Sequence, residues 1–240
     1  MKVINADWEI KNLGKRTIEI ICDEADLCEE IDERIRNPNC EYLVIKVPSS
    51  RPDLMQTMTR NEMHFIETTI KVTKSPDDLR IEKILERALS SVSYDCMCED
   101  DLQVLYQQIE SGLFTTDRIA RDPVFGMRAA TNRYVSWIQS ELSRGTEVFK
   151  LVWKDKSVGF FTLKSIGDGV YYPFLAGIYQ NEVRFPLGIA TAYFPLREIA
   201  SRKGRMIETF ISTNNVSAVR MHVALGFTFS EICYAYVKHF

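Results

Sequence analysis

Between residues 206 and 240 the side-chain period changes twice. "MIETFIST" alternates as a strand, Asn214 and Asn215 then open a helix that closes on Leu225-Gly226-Phe227, and "FTFSEICYAYVKHF" returns to strand-like alternation. Elements that alternate over such short spans must bury their apolar sides against one another in layers, helices on a sheet. Upstream, "SVSYDCMCE" reads as a strand and "EDDLQVLYQQIESGLF" as an amphipathic helix framed by its acidic start and by Ser111-Gly112. "AATNRYVSWIQSELSRG" reads as a second helix, with Tyr134, Trp137, Ile138 and Leu142 on one face and Gly145 just past its end. Three strands follow, "EVFKLVWK", "SVGFFTLKSI" and "VYYPFLAGIY", then a helix from near Gly188 in which Pro195 predicts a kink or an early end. The order β-α-α-β-β-β-α-β-α-β predicts an α/β (α+β) fold, a mixed and mainly antiparallel sheet flanked by helices.

The leading residues, 1 to about 72, read as a smaller α/β unit. Strands "TIEIICD" and "EYLVIKV", a helix in "DLCEEIDERIRN", a second helix from Pro52-Asp53 and a strand "HFIETTIKV" make it up. "TKSPDDLR" supplies breaker and cap chemistry after them, so the expected division is 1–78 and 79–240. There is no internal repeat of fixed short period and no low-complexity tract.

A formal net charge of -3 and a pI near 5.8 argue against nucleic-acid binding through a diffuse positive surface. A localised basic pocket for a small phosphorylated ligand stays compatible with that charge. No apolar run reaches a membrane span, and "MKVINADWEIKNLG" has neither the apolar core nor the cleavage site of a signal peptide. A cytoplasmic protein with no membrane partner is the expectation. The six cysteines are scattered, with no CxxC metal knuckle, and are read as reduced and mostly structural, with no metal.

His222, one of three histidines, sits on the helix that Asn215 opens. On spacing alone it is a polar residue on a helix face, and Asn215 is an N-cap satisfying the first orphan N–H groups. The element order and the run Asn215, Ala218, His222, Leu225-Gly226-Phe227 resemble the GCN5-related N-acetyltransferases over roughly residues 90–240. A fainter, longer similarity is to two-domain acetyltransferases of the dTDP-fucosamine type, which act on nucleotide-linked amino sugars. It is carried by "ADWEIKNLGKR", "MHFIETTI" and "LFTTDRIARDPVFGMRAATNRYVSWI".

The resemblance implies a GNAT-like fold, acetyl-CoA as co-substrate and direct transfer of acetyl to a primary amine in a ternary complex. It puts His222 where the family commonly has a tyrosine that protonates the departing thiolate. An imidazolium does that job only below a pKa of about 6.5, against about 10 for tyrosine, so donation becomes pH-sensitive. Asn215 would also touch the pantetheine arm. The strand Ala176-Gly177-Ile178 would accept that arm by backbone hydrogen bonds, the alternative being a glycine that marks a bulge.

A pyrophosphate would sit on the turn before the next helix, with Gly188, Ile189 and Ala190 at its start and Arg184 reaching in from a shifted register. Phe185 and Pro186 depart from the family pattern there, and Pro186 removes an N–H. Arg118 and Arg133 would hold a diphosphate of the acceptor by forked hydrogen bonds, or else be solvated turn charges. Glu67 would be the general base, directly or through water, or else a polar residue on a strand's outer face.

The expected function is an acetyl-CoA-dependent N-acetyltransferase for a small-molecule amine, favouring a nucleotide-linked amino sugar. Two rivals stand beside it: a non-catalytic module with a degenerate CoA site, and an acyltransferase for peptides or proteins. A homodimer through the terminal strand "CYAYVKHF" also stays open.

Overall fold

The structure is a computed structural model that describes residues 1–79, 81–182 and 187–240. Its leading stretch runs through strand β1 (Lys2–Asn5), helix α1 (Trp8–Leu13), β2 (Thr17–Ile21), α2 (Cys28–Arg36), β3 (Tyr42–Pro48), α3 (Pro52–Arg60) and β4 (His64–Lys74). Helix α4 (Lys83–Leu89) leads on to β5 (Val92–Cys96), α5 (Glu99–Glu110), α6 (Arg118–Arg121), α7 (Gly126–Leu142), β6 (Glu147–Trp153) and β7 (Lys156–Gly167). Then come β8 (Val170–Tyr172), β9 (Ala176–Ile178), α8 (Leu187–Ser201), β10 (Met206–Ser212), α9 (Val216–Ala224) and β11 (Thr228–His239).

One sheet runs in the order β1-β2-β3-β11-β4-β10-β8-β7-β6-β5, with β9 attached to β7 alone. Among the described residues only β2 with β3 and β8 with β10 pair in parallel, so the sheet is mainly antiparallel as the element order predicts. Burial explains which strands lie inside. Tyr42 to Ile45 of β3 and Val158 to Leu163 of β7 are buried without alternation, which is how strands covered on both faces read. The apolar faces of α8 and α9 close one core with β4, β7 and β10, and those of α5 and α7 close another around Phe160 and Phe174. The expected boundary near 78 falls between β4 and α4, and the sheet crosses it through the hydrogen bonds of β4 to β10 and β11.

A repeat of long period lies in this backbone. β3, α3 and β4 start at residues 42, 52 and 64, and β10, α9 and β11 start at 206, 216 and 228, a constant offset. The turns after the two helices match bond for bond: Met63 N–H donates to Met58 O and Phe227 N–H to His222 O, each at 3.0 Å. Glu62 and Gly226 hold the same left-handed conformation in those turns, at φ 54° and 68°. The two halves exchange their last strands, so that β11 lies on β3, β4 lies on β10, and β4 and β11 pair at the centre. Lys74 of β4 donates to Gly226 O at 3.1 Å and Lys238 of β11 to Asn61 O at 2.6 Å, each strand tying down the helix end of the other half. The exchange carries Glu67, on β4, into the half that holds His222.

Three expectations change here. β1, α1 and α4 were not foreseen, being short and without a clear period. Helix α8 passes through Pro195 and does not end there. Losing that N–H costs about 3 kcal/mol in a free helix, but Leu196 and Ile199 beyond it are fully buried and hold the last turns on the sheet. The terminal strand β11 is no edge for a dimer, since β3 and β4 occupy both its sides.

Candidate active site

The sheet opens into a V between β9 and β10. β8 pairs with β10 only through Val170–Met206 and Tyr171–Ile207, and beyond that a single bond, Thr209 Oγ1–H to Pro173 O at 3.0 Å, bridges them. The chain then bends away. Fully buried Thr162 fixes the bend: its Oγ1 donates to Leu175 O and accepts from Leu175 N–H, both at 3.0 Å. Gly159 lets β9 lie close to β7, because a Cβ there would stand 2.4 Å from Gly177 O. Since Tyr179 N–H and Leu175 O bond to β7, strand alternation turns the N–H and C=O of Ala176 and Ile178 to the free edge, toward β10. That edge can accept an extended ligand as a further strand.

The first turn of α8 faces the V, and its leading N–H groups have no partner within the helix. Gly188 and Ile189 line the cleft together with Ala176, Gly177 and Ile178, and a side chain at 188 would meet nothing within 4 Å. Ala190 does not line it: its side chain is fully buried in the core under α8. Arg184, Phe185 and Pro186 lie outside the described residues. Asn215 lines the cleft and caps α9, its Oδ1 accepting from Ala218 N–H at 3.0 Å. Arg220, exposed on α9, adds a cation to this end that the sequence reading missed.

His222 lines the same cleft but is only 6% exposed, edge-on to Phe227 at 4.6 Å between ring centroids. Its Nδ1 lies 2.8 Å from Ala218 O. A carbonyl only accepts, so Nδ1 carries the proton and the neutral ring is left with a bare Nε2. Burial lowers the pKa of the imidazole below its usual 6.5, against the opposing pull of the Ala218 carbonyl. The resting residue is therefore a hydrogen-bond acceptor at neutral pH. In that state Nε2 has no proton to give, which favours an accepting ring over the imidazolium donor that the resemblance implies.

Glu67 reaches the cleft from the other side. A bulge in the β4–β11 ladder sets Ala235 opposite Glu67 but Tyr236 opposite Phe65, leaving Ile66 unmatched and re-aiming the strand at this point. Ile66 packs with Ile119 and Ala130 beneath α6 and α7, and Glu67 lines the cleft at 6% exposure. Burial raises its carboxyl pKa above the usual value, with Arg118 and a hydrogen bond from Ser212 working the other way.

Arg118 and Arg133 stand beside Glu67, but their charges are already taken. Arg133 Nε donates to Glu9 Oε1 at 2.6 Å, and Arg118 Nη2 lies 3.3 Å from Glu19, which also receives Lys46 Nζ at 2.6 Å. Burial alone would raise the Glu19 carboxyl, yet Arg118 and Lys46 outweigh it and hold the pKa down to about 2. Neither arginine is a solvated turn charge: each faces a carboxylate, and Arg118 Nε is buried with no hydrogen-bond partner among the described residues. Their partners come from α1 and β2, where no motif marked Glu9 or Glu19.

The cleft that joins these groups has a volume of ≈ 1470 Å³, above the usual range of about 300–1,000 Å³ for one small-molecule site. It has room for a donor arm and an acceptor side by side. Among the described residues no cluster of His, Cys, Asp or Glu is arranged to hold a metal ion, and no helix is long and apolar enough to cross a membrane.

A mixed, mainly antiparallel sheet split by a V, with helices α8 and α9 starting at its mouth, is the fold of the GCN5-related N-acetyltransferases. A GCN5-related N-acetyltransferase from Sphaerobacter thermophilus superposes with a TM-score of 0.57 at 13% identity, over 82% of this chain and 59% of its own. One from Kribbella flavida gives a TM-score of 0.58 at 13% identity over 92% and 80%, and a tandem GNAT protein from the clavulanic acid biosynthesis pathway gives 0.52 at 15% over 88% and 67%. The chain thus spans under two thirds of the Sphaerobacter protein's length. At these identities the likeness is one of fold. No protein-family model and no curated protein matches the sequence.

Proposed function

We propose that the protein is an acetyl-CoA-dependent N-acetyltransferase acting on the primary amine of a small molecule. The observation that carries this reading is the continuity of the cleft, from the unpaired edge of β9 and the start of α8 to the buried carboxylate of Glu67. The V takes the pantetheine arm as a strand, and the N–H groups opening α8 face its pyrophosphate. The likeness to a tandem protein accords with the backbone repeat.

The acceptor enters as an ammonium ion and gives one proton to the Glu67 carboxylate, directly or through water. The neutral nitrogen attacks the thioester carbonyl, the C–N bond forms, and collapse of the tetrahedral intermediate breaks the C–S bond. The nitrogen's second proton passes through water to the leaving thiolate, and Glu67 returns its proton to solvent. A carboxyl pKa lifted toward the working pH makes Glu67 a stronger base than an exposed glutamate. His222, holding its proton on Nδ1, offers Nε2 as an acceptor that orients a water or the incoming amine.

Titration calorimetry with acetyl-CoA tests the donor half. Saturable binding is expected, weakened at least about tenfold in Gly188→Glu, whose side chain has open space but sets a negative charge at the positive end of α8. Absence of binding in the wild type would replace this reading with that of a non-catalytic module. For His222, the Gln variant should keep kcat within about tenfold of wild type, whereas loss of a general acid costs about 10²–10⁴-fold. A loss in that larger range, with activity in the parent that rises as pH falls, would restore His222 as the acid.

A further inference from the structure

The acceptor end of the cleft has a composition that the acyl-transfer reading does not require. Its inner cations already stand among carboxylates: Lys46 and Arg118 share Glu19, and Arg133 pairs with Glu9. Glu67 has Ser212 and no ion-pair partner among the described residues, and Asp117 is committed to Ala120 N–H at 2.8 Å, as the cap of α6, and to Tyr134. With Glu67 and Asp117 counted beside Glu9 and Glu19, carboxylates outnumber these inner cations, so a phosphate-bearing acceptor would add negative charge to an excess of it. An ammonium ion would find the reverse.

The wall beside Glu67 is made of rings. Phe114 and Tyr134 stand 4.5 Å apart between centroids, and Trp137 and Phe174 stand 4.9 Å apart. Tyr134 and Trp137 lie one turn apart on the cleft side of α7, and all these rings line the same cavity. Such a wall gives an incoming molecule flat apolar surface to cover, and gives its cation ring faces at Phe114, Tyr134 and Phe174, the Arg133 guanidinium already lying 5.7 Å over the Trp137 ring. Exposed Lys11 on α1 and exposed Arg144, which pairs with Glu141, also line this cavity.

We propose that the acceptor is an arylalkylamine, an ammonium group directed at Glu67 on a short chain from an uncharged aromatic body packed against Phe114, Tyr134, Trp137 and Phe174. The proposal rests on the acyl-transfer reading for its chemistry and on the ring wall and paired arginines for its substrate class. It replaces the nucleotide-linked amino sugar that the sequence resemblance favours.

The test measures thiol release from acetyl-CoA with 2-phenylethylamine, ethylamine and a nucleotide diphosphate amino sugar, and titrates acetyl-CoA separately. Burying one aromatic ring should raise kcat/KM for 2-phenylethylamine roughly 100-fold over ethylamine. Trp137→Ala should shrink that preference to about tenfold or less and leave acetyl-CoA affinity within about twofold, while Trp137→Phe, which keeps a ring, should retain most of it. Equal turnover of the two amines, or preference for the amino sugar nucleotide, overturns the proposal. If acetyl-CoA does not bind, the acyl-transfer reading falls, and the acceptor site is judged by calorimetry with 2-phenylethylamine alone. Saturable binding that weakens at least about tenfold in Trp137→Ala then sustains the aromatic-amine site, and no binding overturns it.

Discussion

Replacing Glu67 by Gln lowers kcat by about 10²–10⁴-fold, the range for a lost general base, and leaves acetyl-CoA affinity unchanged. The same substitution does not weaken the fold. Burial raises the Glu67 carboxyl pKa in the folded protein, so the ionised form costs stability as pH rises through the unfolded value toward the folded one. Gln removes that cost while keeping the side chain's shape, and Tm at pH 8 should be equal to or higher than that of the parent. The pH dependence separates the two roles further. The parent's kcat/KM should fall on the acid side with a midpoint above the ordinary glutamate value of about 4.3, and the residual activity of the variant should lack that limb. Full activity in Glu67→Gln, or a loss accompanied by unfolding, would remove the residue from the chemistry.

How much of this was legible beforehand follows the physical origin of each signal. The helices α5, α7 and α9 and the strands around them announce themselves by local period and caps, and Asn215 caps α9 as its position suggests. The opening at Ala176-Gly177-Ile178 was expected from the resemblance, but the residues themselves showed only a glycine in an apolar strand. What opens it is Thr162, buried on a neighbouring strand, whose hydroxyl bonds both polar groups of Leu175. The environment of Arg118 and Arg133 depends on Glu19 and Glu9, far away in sequence, and no local pattern encodes an ion pair of that range. His222 shows the limit most plainly. Its place on α9 was visible, but its protonation is set by burial and by the Ala218 carbonyl, whose net effect favours the neutral ring over the imidazolium.

The repeat was hidden for another reason. Phe65, Glu67 and Lys74 recur as Phe229, Glu231 and Lys238 at the same offset, but the rest of the two segments has diverged. Divergence follows from the different tasks of the halves. In the leading half β2 and β3 stay paired from Thr17 to Ile21, Met58 fills the core where the other half has His222, and Arg51 takes the place of Asn215. That guanidinium donates to the carbonyls of Glu24 and Asp26 at 2.9 and 2.8 Å, closing the loop before α2. One half keeps the open V, and the other supplies the buried carboxylate of Glu67 through the exchanged strand. A cleft assembled in this way needs both halves folded together.

That coupling makes the ion-pair network between the halves the place where the fold is most easily broken. Glu19→Gln removes the carboxylate that neutralises Arg118 and Lys46 and leaves buried positive charge without its partner. Breaking a buried pair from one side costs about 3–5 kcal/mol, which for a chain of this size lowers Tm by roughly 6–20 °C. The loss should itself depend on pH. With its folded pKa held near 2, Glu19 contributes stability that is fully present above its unfolded value of 4.5 and is lost as pH falls through the folded value. Thermal unfolding measured from pH 7 down to pH 2 should therefore show the parent and Glu19→Gln far apart at neutral pH and converging below about pH 4. A constant separation across that range would mean that lost packing, not lost charge pairing, causes the effect. An unchanged Tm at pH 7 would show that Arg118 finds another anion, and Glu67, the nearby carboxylate without an ion-pair partner among the described residues, would be the one to supply it.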